Sequence, residues 1–177
     1  MEYAIVLYFD EKTEEIINSL IKKIANKTGN KYMVDNKIPS HITISLFQYN
    51  EKIDTVMEII ENNISFFHRN NITIASIGIF NPSVLFIAPV INDYLLELNK
   101  KINEILNTND EILLDKNYME NQWVPHISLG VKLNENELII GVKTLVEDFK
   151  ILDIEIDRVG FAECNPYKDI KTWKNII

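Results

Sequence analysis

The chain has 177 residues, of which 46% are hydrophobic and 25% are charged, and this balance excludes a disordered or fibrous protein. Asp and Glu outnumber Lys and Arg by 26 to 18, so the formal net charge is −8 and a long nucleic acid would be repelled. The single cysteine, Cys164, excludes an internal disulfide, and the sequence has no zinc-type Cys/His cluster. We therefore expect a cytoplasmic protein with no metal or other cofactor, whose ligand is small.

The spacing of apolar residues predicts the secondary structure of the first half. In chain order we expect a strand over residues 3–9, a helix over 11–27, a polar loop over 28–38, a strand from 41, a helix over 53–64, strands over 71–80 and 84–90, and a helix over 92–106. Thr13 is a candidate N-cap of the first helix, and Gly29 is its stop signal. The apolar run at the start is too short for a signal or membrane-spanning segment, so no membrane partner is expected.

The second half repeats this order. We expect an exposed, mobile polar segment over 107–122, a strand from 126, a helix over 135–148, a strand over 151–161, a turn-rich loop over 163–169 and a last strand over 172–177. The same succession of elements thus occurs in residues 1–80 and again in 84–161. It predicts a single bilobal α+β domain over 1–177, with two pseudo-symmetric lobes of mostly antiparallel sheet, helices on the outer faces and a groove between the lobes.

Two of the predicted strands carry the same polar pattern. His41 is followed two residues later by Thr43, and His126 is followed two residues later by Ser128. Side chains two apart on a strand share a face, so each strand presents an imidazole and a hydroxyl together. A twofold relation between the lobes would place the two strands opposite each other across the groove.

Alternation along the first of these strands assigns its other residues. We expect Ser45 to lie on the same face as His41. We expect Ile42, Ile44 and Leu46 to point into the core.

The two histidines are suited to acid-base catalysis. An imidazole has an unperturbed pKa near 6.5, so a pair can hold one neutral and one protonated ring near neutral pH. With a phosphodiester between the strands, one ring can accept a proton from the attacking group while the other donates one to the departing oxygen. The hydroxyls of Thr43 and Ser128 can donate hydrogen bonds to the non-bridging oxygens. The catalytic candidates are His41, Thr43, His126 and Ser128, and the pattern leaves open which histidine is the base.

Paired His-x-Thr/Ser strands, half a chain apart in a short duplicated α+β chain, resemble the two-histidine (2H) phosphoesterase superfamily, the LigT-like or 2′,5′ RNA ligase-like proteins. His41 and Thr43 match the first motif of that family, whereas His126 and Ser128, preceded by Pro125, match the second. The resemblance implies a metal-independent enzyme that opens the 2′,3′-cyclic phosphate of a short RNA end or a small cyclic nucleotide. It also implies that 2′,5′ ligation, where it occurs, is the reverse of this reaction.

Two other functions stay open from the sequence. A binding module can hold a nucleotide or an RNA end in the same groove without turnover, because a fold does not fix a function. A protein-interaction domain with incidental histidines would have no phosphate affinity in the groove. The presence of both histidines and both hydroxyls favours the enzyme.

The remaining conspicuous residues have ordinary structural interpretations. Arg158 shares a predicted face with the apolar residues before it, so its charge needs a carboxylate or access to the groove, and contact with phosphate is the alternative. His68 lies near a predicted helix C-terminus without a hydroxyl partner, and we expect it to be structural. Cys164 has no activating neighbour in the sequence and is expected to be inert. Four aromatic residues either pack loops or stack a base: Tyr32, Tyr118, Trp123 and Tyr167.

Overall fold

The computed structural model of the protein describes residues 1–80 and 82–174. Its strands are β1 (Glu2–Phe9), β2 (Ile42–Gln48), β3 (Asn70–Phe80), β4 (Val84–Pro89), β5 (Leu113–Leu114), β6 (Ile127–Gly130), β7 (Leu152–Cys164) and β8 (Tyr167–Lys174). Its helices are α1 (Glu11–Thr28), α2 (Tyr32–Asp35), α3 (Ile53–Asn63), α4 (Asp93–Leu106) and α5 (Glu135–Asp148). Short 3₁₀ turns cover Ile64–Phe66 and Lys116–Tyr118.

These strands form one antiparallel sheet. Their order is β5-β2-β1-β7-β3-β4-β6, and β8 pairs with β7 outside this path. The 13-residue strand β7 joins the β5-β2-β1 side of the sheet to the β3-β4-β6 side. Its residues 152–156 pair with β3, and its residues 156–163 pair with β1. The α+β class and the antiparallel sheet predicted from the sequence are confirmed.

The helices pack on one face of the sheet. Alternate residues of β1, among them Ile5, Leu7 and Phe9, join the buried faces of α1, α3, α4 and α5 in one large hydrophobic cluster. The residues between them point the other way, as the period of a strand requires. A second, smaller cluster on this opposite face, which we call the site face, consists of Ala4, Val6, Tyr8, Leu46 and Cys164.

The ends of the helices follow local capping chemistry. Asp10, rather than the predicted Thr13, is the N-cap of α1, because its carboxylate accepts a hydrogen bond from the Thr13 backbone N–H at 3.3 Å. Gly29 ends α1 in the left-handed conformation with φ of 82°, which confirms the predicted stop. Within residues 1–80 and 82–174, no helix has the length and apolar character needed to cross a membrane.

Three polar segments contain more regular structure than the sequence predicts. The 28–38 loop includes α2, and the 107–122 segment includes β5, which pairs with the end of β2. The 163–169 loop is instead the end of β7 and the start of β8. The last predicted strand therefore begins at residue 167 rather than 172, and residues 175–177 of that prediction lie outside the described residues.

Candidate active site

The two histidines are held by the same backbone interaction. His41 Nδ1 lies 2.8 Å from the carbonyl oxygen of Pro39, and His126 Nδ1 lies 2.8 Å from the carbonyl oxygen of Val124. A carbonyl oxygen only accepts, so Nδ1 carries the proton and donates in both rings. Nε2 is then the basic nitrogen of each neutral imidazole.

A β-bulge follows the hydroxyl residue in both motif strands. The extra residue is Ile44 in β2 and Leu129 in β6. Each comes directly after the hydroxyl residue of its motif, Thr43 or Ser128. A bulge increases the local twist and redirects side chains, so both strands turn at the same point of the motif.

The bulge in β2 reverses the faces predicted for Ser45 and Leu46, and that prediction is wrong. Ser45 is 0% exposed and donates a hydrogen bond to Asn103 Oδ1 of α4 at 2.7 Å. Leu46 lies on the site face instead. The core positions predicted for Ile42 and Ile44 are confirmed.

The segment before His126 is fastened to the first motif strand. Trp123 is 8% exposed, and its indole Nε1–H donates a hydrogen bond to the backbone oxygen of Thr43 at 2.9 Å. The two imidazoles are also close enough for a charge on His126 to lower the pKa of His41. The structure therefore brings the two predicted motifs together.

A cavity of about 490 Å³ opens beside the second motif. Its wall includes His126 and Ser128 from that motif, and Leu46 is its lining residue from β2. His41 and Thr43 lie outside this wall. The other lining residues mix aromatic, aliphatic and polar side chains: Phe80, Val84, Asp115, Asn117, Tyr118, Gln122, Trp123 and Val124.

His41 lies against two tyrosines. Its ring is 5.3 Å from that of Tyr167 at an angle of 32°, and 6.4 Å from that of Tyr8 at 74°. The two phenol oxygens are 2.5 Å apart, and the Tyr8 hydroxyl also donates to the carboxylate of Asp169. We call Tyr8, Tyr167 and Asp169 the tyrosine cluster.

His126 lies against two phenylalanines. Its ring is 4.7 Å from that of Phe80 at 85° and 5.2 Å from that of Phe86 at 57°. Phe80 and Phe86 also contact each other, with 4.3 Å between ring centroids. The second histidine therefore has apolar neighbours where the first has phenols and a carboxylate.

A glycine makes room for one of the two aromatic rings at each histidine. A Cβ atom on Gly160 of β7 would lie 2.4 Å from the Tyr8 ring, and one on Gly78 of β3 would lie 2.3 Å from the Phe86 ring. Both distances are far below van der Waals contact. Each ring therefore depends on the absence of a side chain on the neighbouring strand.

Burial lowers the pKa of both histidines. It lowers the pKa of His41 below its usual value, and the charge of His126 lowers that pKa further, against the opposing effects of the Pro39 carbonyl and Asp169. Burial also lowers the pKa of His126, with the Val124 carbonyl opposing it. Each ring is thus more readily neutral than a histidine in water.

Arg158 and His68, the other polar candidates, have interaction partners outside the two motifs. A bulge in β7 places Arg158 opposite Tyr8, so its predicted position on the apolar face is wrong. Its guanidinium pairs with Glu14 of α1 at 2.5 Å and donates to the Phe9 backbone oxygen at 2.9 Å. His68 is exposed and packs on Tyr94, away from the motifs.

Cys164 and Tyr32 are also accounted for by their surroundings. Burial raises the pKa of the Cys164 thiol to about 12, so it is a poor nucleophile. Tyr32 packs under the ammonium group of Lys132, 4.0 Å from the ring centroid. In residues 1–80 and 82–174 no group of three or more His, Cys, Asp or Glu side chains is placed to hold a metal ion.

The sequence prediction missed the surroundings of the two histidines. Tyr8, Phe86 and Asp169 were not predicted as site residues, because strand pairing, and not local sequence, brings them to the motifs. Gly78 and Gly160 were the available signal, since an isolated glycine inside a strand indicates close approach of another group. Comparison of the chain with models of known protein families and with curated proteins found no match.

Proposed function

We propose that the protein is a metal-independent cyclic phosphodiesterase of the two-histidine kind. Its substrate is the 2′,3′-cyclic phosphate of a short RNA end or a small cyclic nucleotide, with 2′,5′ ligation as the reverse reaction. The observation that carries the proposal is the matched fixing of His41 and His126 by Nδ1 hydrogen bonds of 2.8 Å. Both rings are thereby oriented with Nε2 as the atom that exchanges a proton.

The reaction uses one histidine in each protonation state. Nε2 of the neutral ring accepts a proton from water as the water oxygen bonds to phosphorus. The bond from phosphorus to one ribose oxygen breaks, and that oxygen takes a proton from Nε2 of the protonated ring. The product is a ribose phosphomonoester. Thr43 and Ser128 donate hydrogen bonds to the non-bridging oxygens, where negative charge increases in the transition state.

Strand pairing supports two related lobes facing a common groove. Over residues 5–7 the pairing of β1 with β2 is matched by that of β4 with β6, and over residues 4–9 the pairing of β1 with β7 is matched by that of β4 with β3, with the bulges at matching positions. Equivalent residues differ by 80 between β1 and β4, by 85 between β2 and β6, and by 82 between β3 and β7; examples are Val6 and Phe86, Thr43 and Ser128, and Gly78 and Gly160. Such agreement in register is expected of a duplicated unit.

The size and charge of the molecule favour a small substrate. A cavity of about 490 Å³ lies in the range of small-molecule sites and adjoins His126 and Ser128. Tyr118 and Trp123 in its wall provide aromatic surface for a nucleobase. The net charge of −8 disfavours a long polyanion. A reducing cytoplasm fits the single cysteine.

Turnover of nucleoside 2′,3′-cyclic phosphates in the presence of EDTA tests the proposal. Replacement of His41 or His126 by Ala should lower kcat by roughly 10²–10⁴-fold, because each histidine transfers a proton in the transition state. His68→Ala is the matched control and should retain wild-type activity, since His68 is the remaining histidine and lies away from the motifs. Thr43→Val and Ser128→Ala should each lower kcat less than the loss of a histidine.

Three outcomes distinguish the functions. Loss of turnover in both histidine variants, with His68→Ala active, supports paired-histidine catalysis. Tight nucleotide binding by a wild-type protein without turnover would identify the binding module. Neither turnover nor binding would leave the protein-interaction function.

A further inference from the structure

The tyrosine cluster is a hydrogen-bonded chain that ends in a carboxylate. Tyr8 has one hydroxyl proton, which it donates to Asp169, so Tyr167 is the donor in the 2.5 Å contact between the two phenols. The chain therefore runs from Tyr167 through Tyr8 to Asp169. Burial, above all, raises the pKa of both phenols, so both stay neutral.

The two phenol rings of this hydrogen-bonded series lie against the first histidine. Successive hydrogen bonds polarise one another, and a chain that ends on a carboxylate makes its phenol oxygens more negative. The Tyr167 ring lies 5.3 Å from the His41 ring, near enough for its π face to attract an imidazolium. The carboxylate of Asp169 acts in the same direction and raises the pKa of His41.

The second histidine has no comparable stabilisation of its charged form. The rings packed on His126 are those of Phe80 and Phe86, which carry no hydroxyl group and do not lead to a carboxylate. Burial is the main effect on the pKa of both histidines and favours the neutral ring, and at His41 the carboxylate of Asp169 opposes it. The environment thus distinguishes two histidines whose backbone interactions are alike.

From this geometry, and resting on the proposed phosphodiesterase function, we propose that the tyrosine cluster makes His41 the general acid and leaves His126 as the general base. Tyr8, Tyr167 and Asp169 act through His41 and are positioning residues. His126 receives the proton of the attacking water, and His41 protonates the departing ribose oxygen. In the reverse direction the two roles exchange.

Two other charged groups lie near His41 and the tyrosine cluster. From β7, the Arg158 guanidinium lies 5.1 Å from the centroid of the Tyr8 ring, but it is paired with Glu14 at 2.5 Å and with Asp157 at 3.4 Å. A charge on His126, which directly precedes β6, would repel a charge on His41. That repulsion favours one proton shared by the pair, and the tyrosine cluster decides which ring holds it.

Titration of the ring nitrogens by NMR tests the assignment without any substrate. The chain has three histidines, so the His68→Ala background leaves two sets of ring signals to assign. We expect His41 to protonate at a higher pH than His126. Asp169→Asn keeps a hydrogen-bond acceptor for Tyr8 and removes the charge, so it should lower the pH at which His41 protonates and leave His126 nearly unchanged.

Asp153→Asn is the matched control, because Asp153 on β7 also accepts a hydroxyl hydrogen bond, from Thr73 at 2.7 Å, but lies outside the cluster. It should move neither histidine. If His126 protonates at the higher pH, or if Asp169→Asn shifts both rings equally, the assignment is wrong.

The pH dependence of kcat/KM provides a second, independent readout. With His41 as acid, Asp169→Asn should move the alkaline limb to lower pH, lowering kcat/KM roughly tenfold on that side and little on the acid side. Asp169→Glu should restore most of the loss. A uniform loss at every pH would show a merely structural role and overturn the proposal. Absence of wild-type turnover would instead overturn the phosphodiesterase function, whatever the titration order.

Discussion

His41 and His126 hold their Nδ1 atoms against equivalent carbonyl oxygens, and each is followed by a hydroxyl residue and a bulge at the same position. The rings packed on them differ, however, because His41 contacts Tyr8 and Tyr167 whereas His126 contacts Phe80 and Phe86. Backbone carbonyl groups thus fix the orientation and tautomer of each imidazole, and the side chains packed on the ring influence its pKa. The two properties can therefore be changed separately by mutation.

The largest effect that separates the two regions should come from the glycines under the aromatic rings. Gly160→Ala should lower the free energy of unfolding by about 2–3 kcal/mol, because Tyr8 is tied to its hydrogen-bond partners and cannot move away from the new methyl group. Gly78→Ala should cost only about 1 kcal/mol, because the Phe86 ring has no hydrogen bond to keep and can shift. Urea denaturation of both variants measures the difference. Equal costs would show that the tyrosine cluster does not fix its ring.

A smaller effect is expected from loosening the contact between the two motifs. Trp123→Phe removes the indole donor to the Thr43 backbone oxygen and should cost about 1–2 kcal/mol, since that carbonyl group loses a partner. It should also lower kcat/KM for a cyclic nucleotide by changing the distance between the histidines. Trp173→Phe on β8 is the control, and its activity should stay at the wild-type value. A variant of Trp123 with full activity would mean that other contacts set the spacing.

The smallest effect should appear in the pH dependence of stability. Burial lowers the pKa of both motif histidines in the folded protein, so below their usual value of 6.5 the unfolded chain binds more protons. Stability should then fall as the pH drops from 6.5 through the lowered values. The double variant His41→Asn, His126→Asn should show a weaker fall between pH 7 and 5. An identical pH dependence in wild type and double variant would show that other groups control it.

The sequence was informative wherever the signal is local. The hydrophobic period predicted the α+β class and placed α4 and α5 within a residue of their observed bounds. The repeated His-x-Thr/Ser pattern identified His41 and His126, whose motifs the structure brings together. Each of these depends on residues within a few positions of one another.

The sequence was uninformative wherever long-range pairing decides. A bulge in β2 moved Ser45 to the helix side, and a bulge in β7 moved Arg158 to the side of Tyr8. Alternation assumes an uninterrupted strand, so one extra residue reverses every later assignment. The 163–169 segment looked like a loop because of its turn-forming residues, although most of it belongs to the β7–β8 hairpin that carries Tyr167 and Asp169.

The central place of β7 has a consequence for folding during synthesis. β1 pairs along one edge with β2, but its other edge pairs with residues 156–163, which leave the ribosome much later. A nascent chain therefore carries a half-paired, strongly apolar strand until β7 is made, and such an open edge invites pairing with other chains. The many contacts between distant parts of the sequence also slow the search for the native sheet. Cells that make this protein quickly should depend on chaperones that protect β1 until translation of β7 is complete.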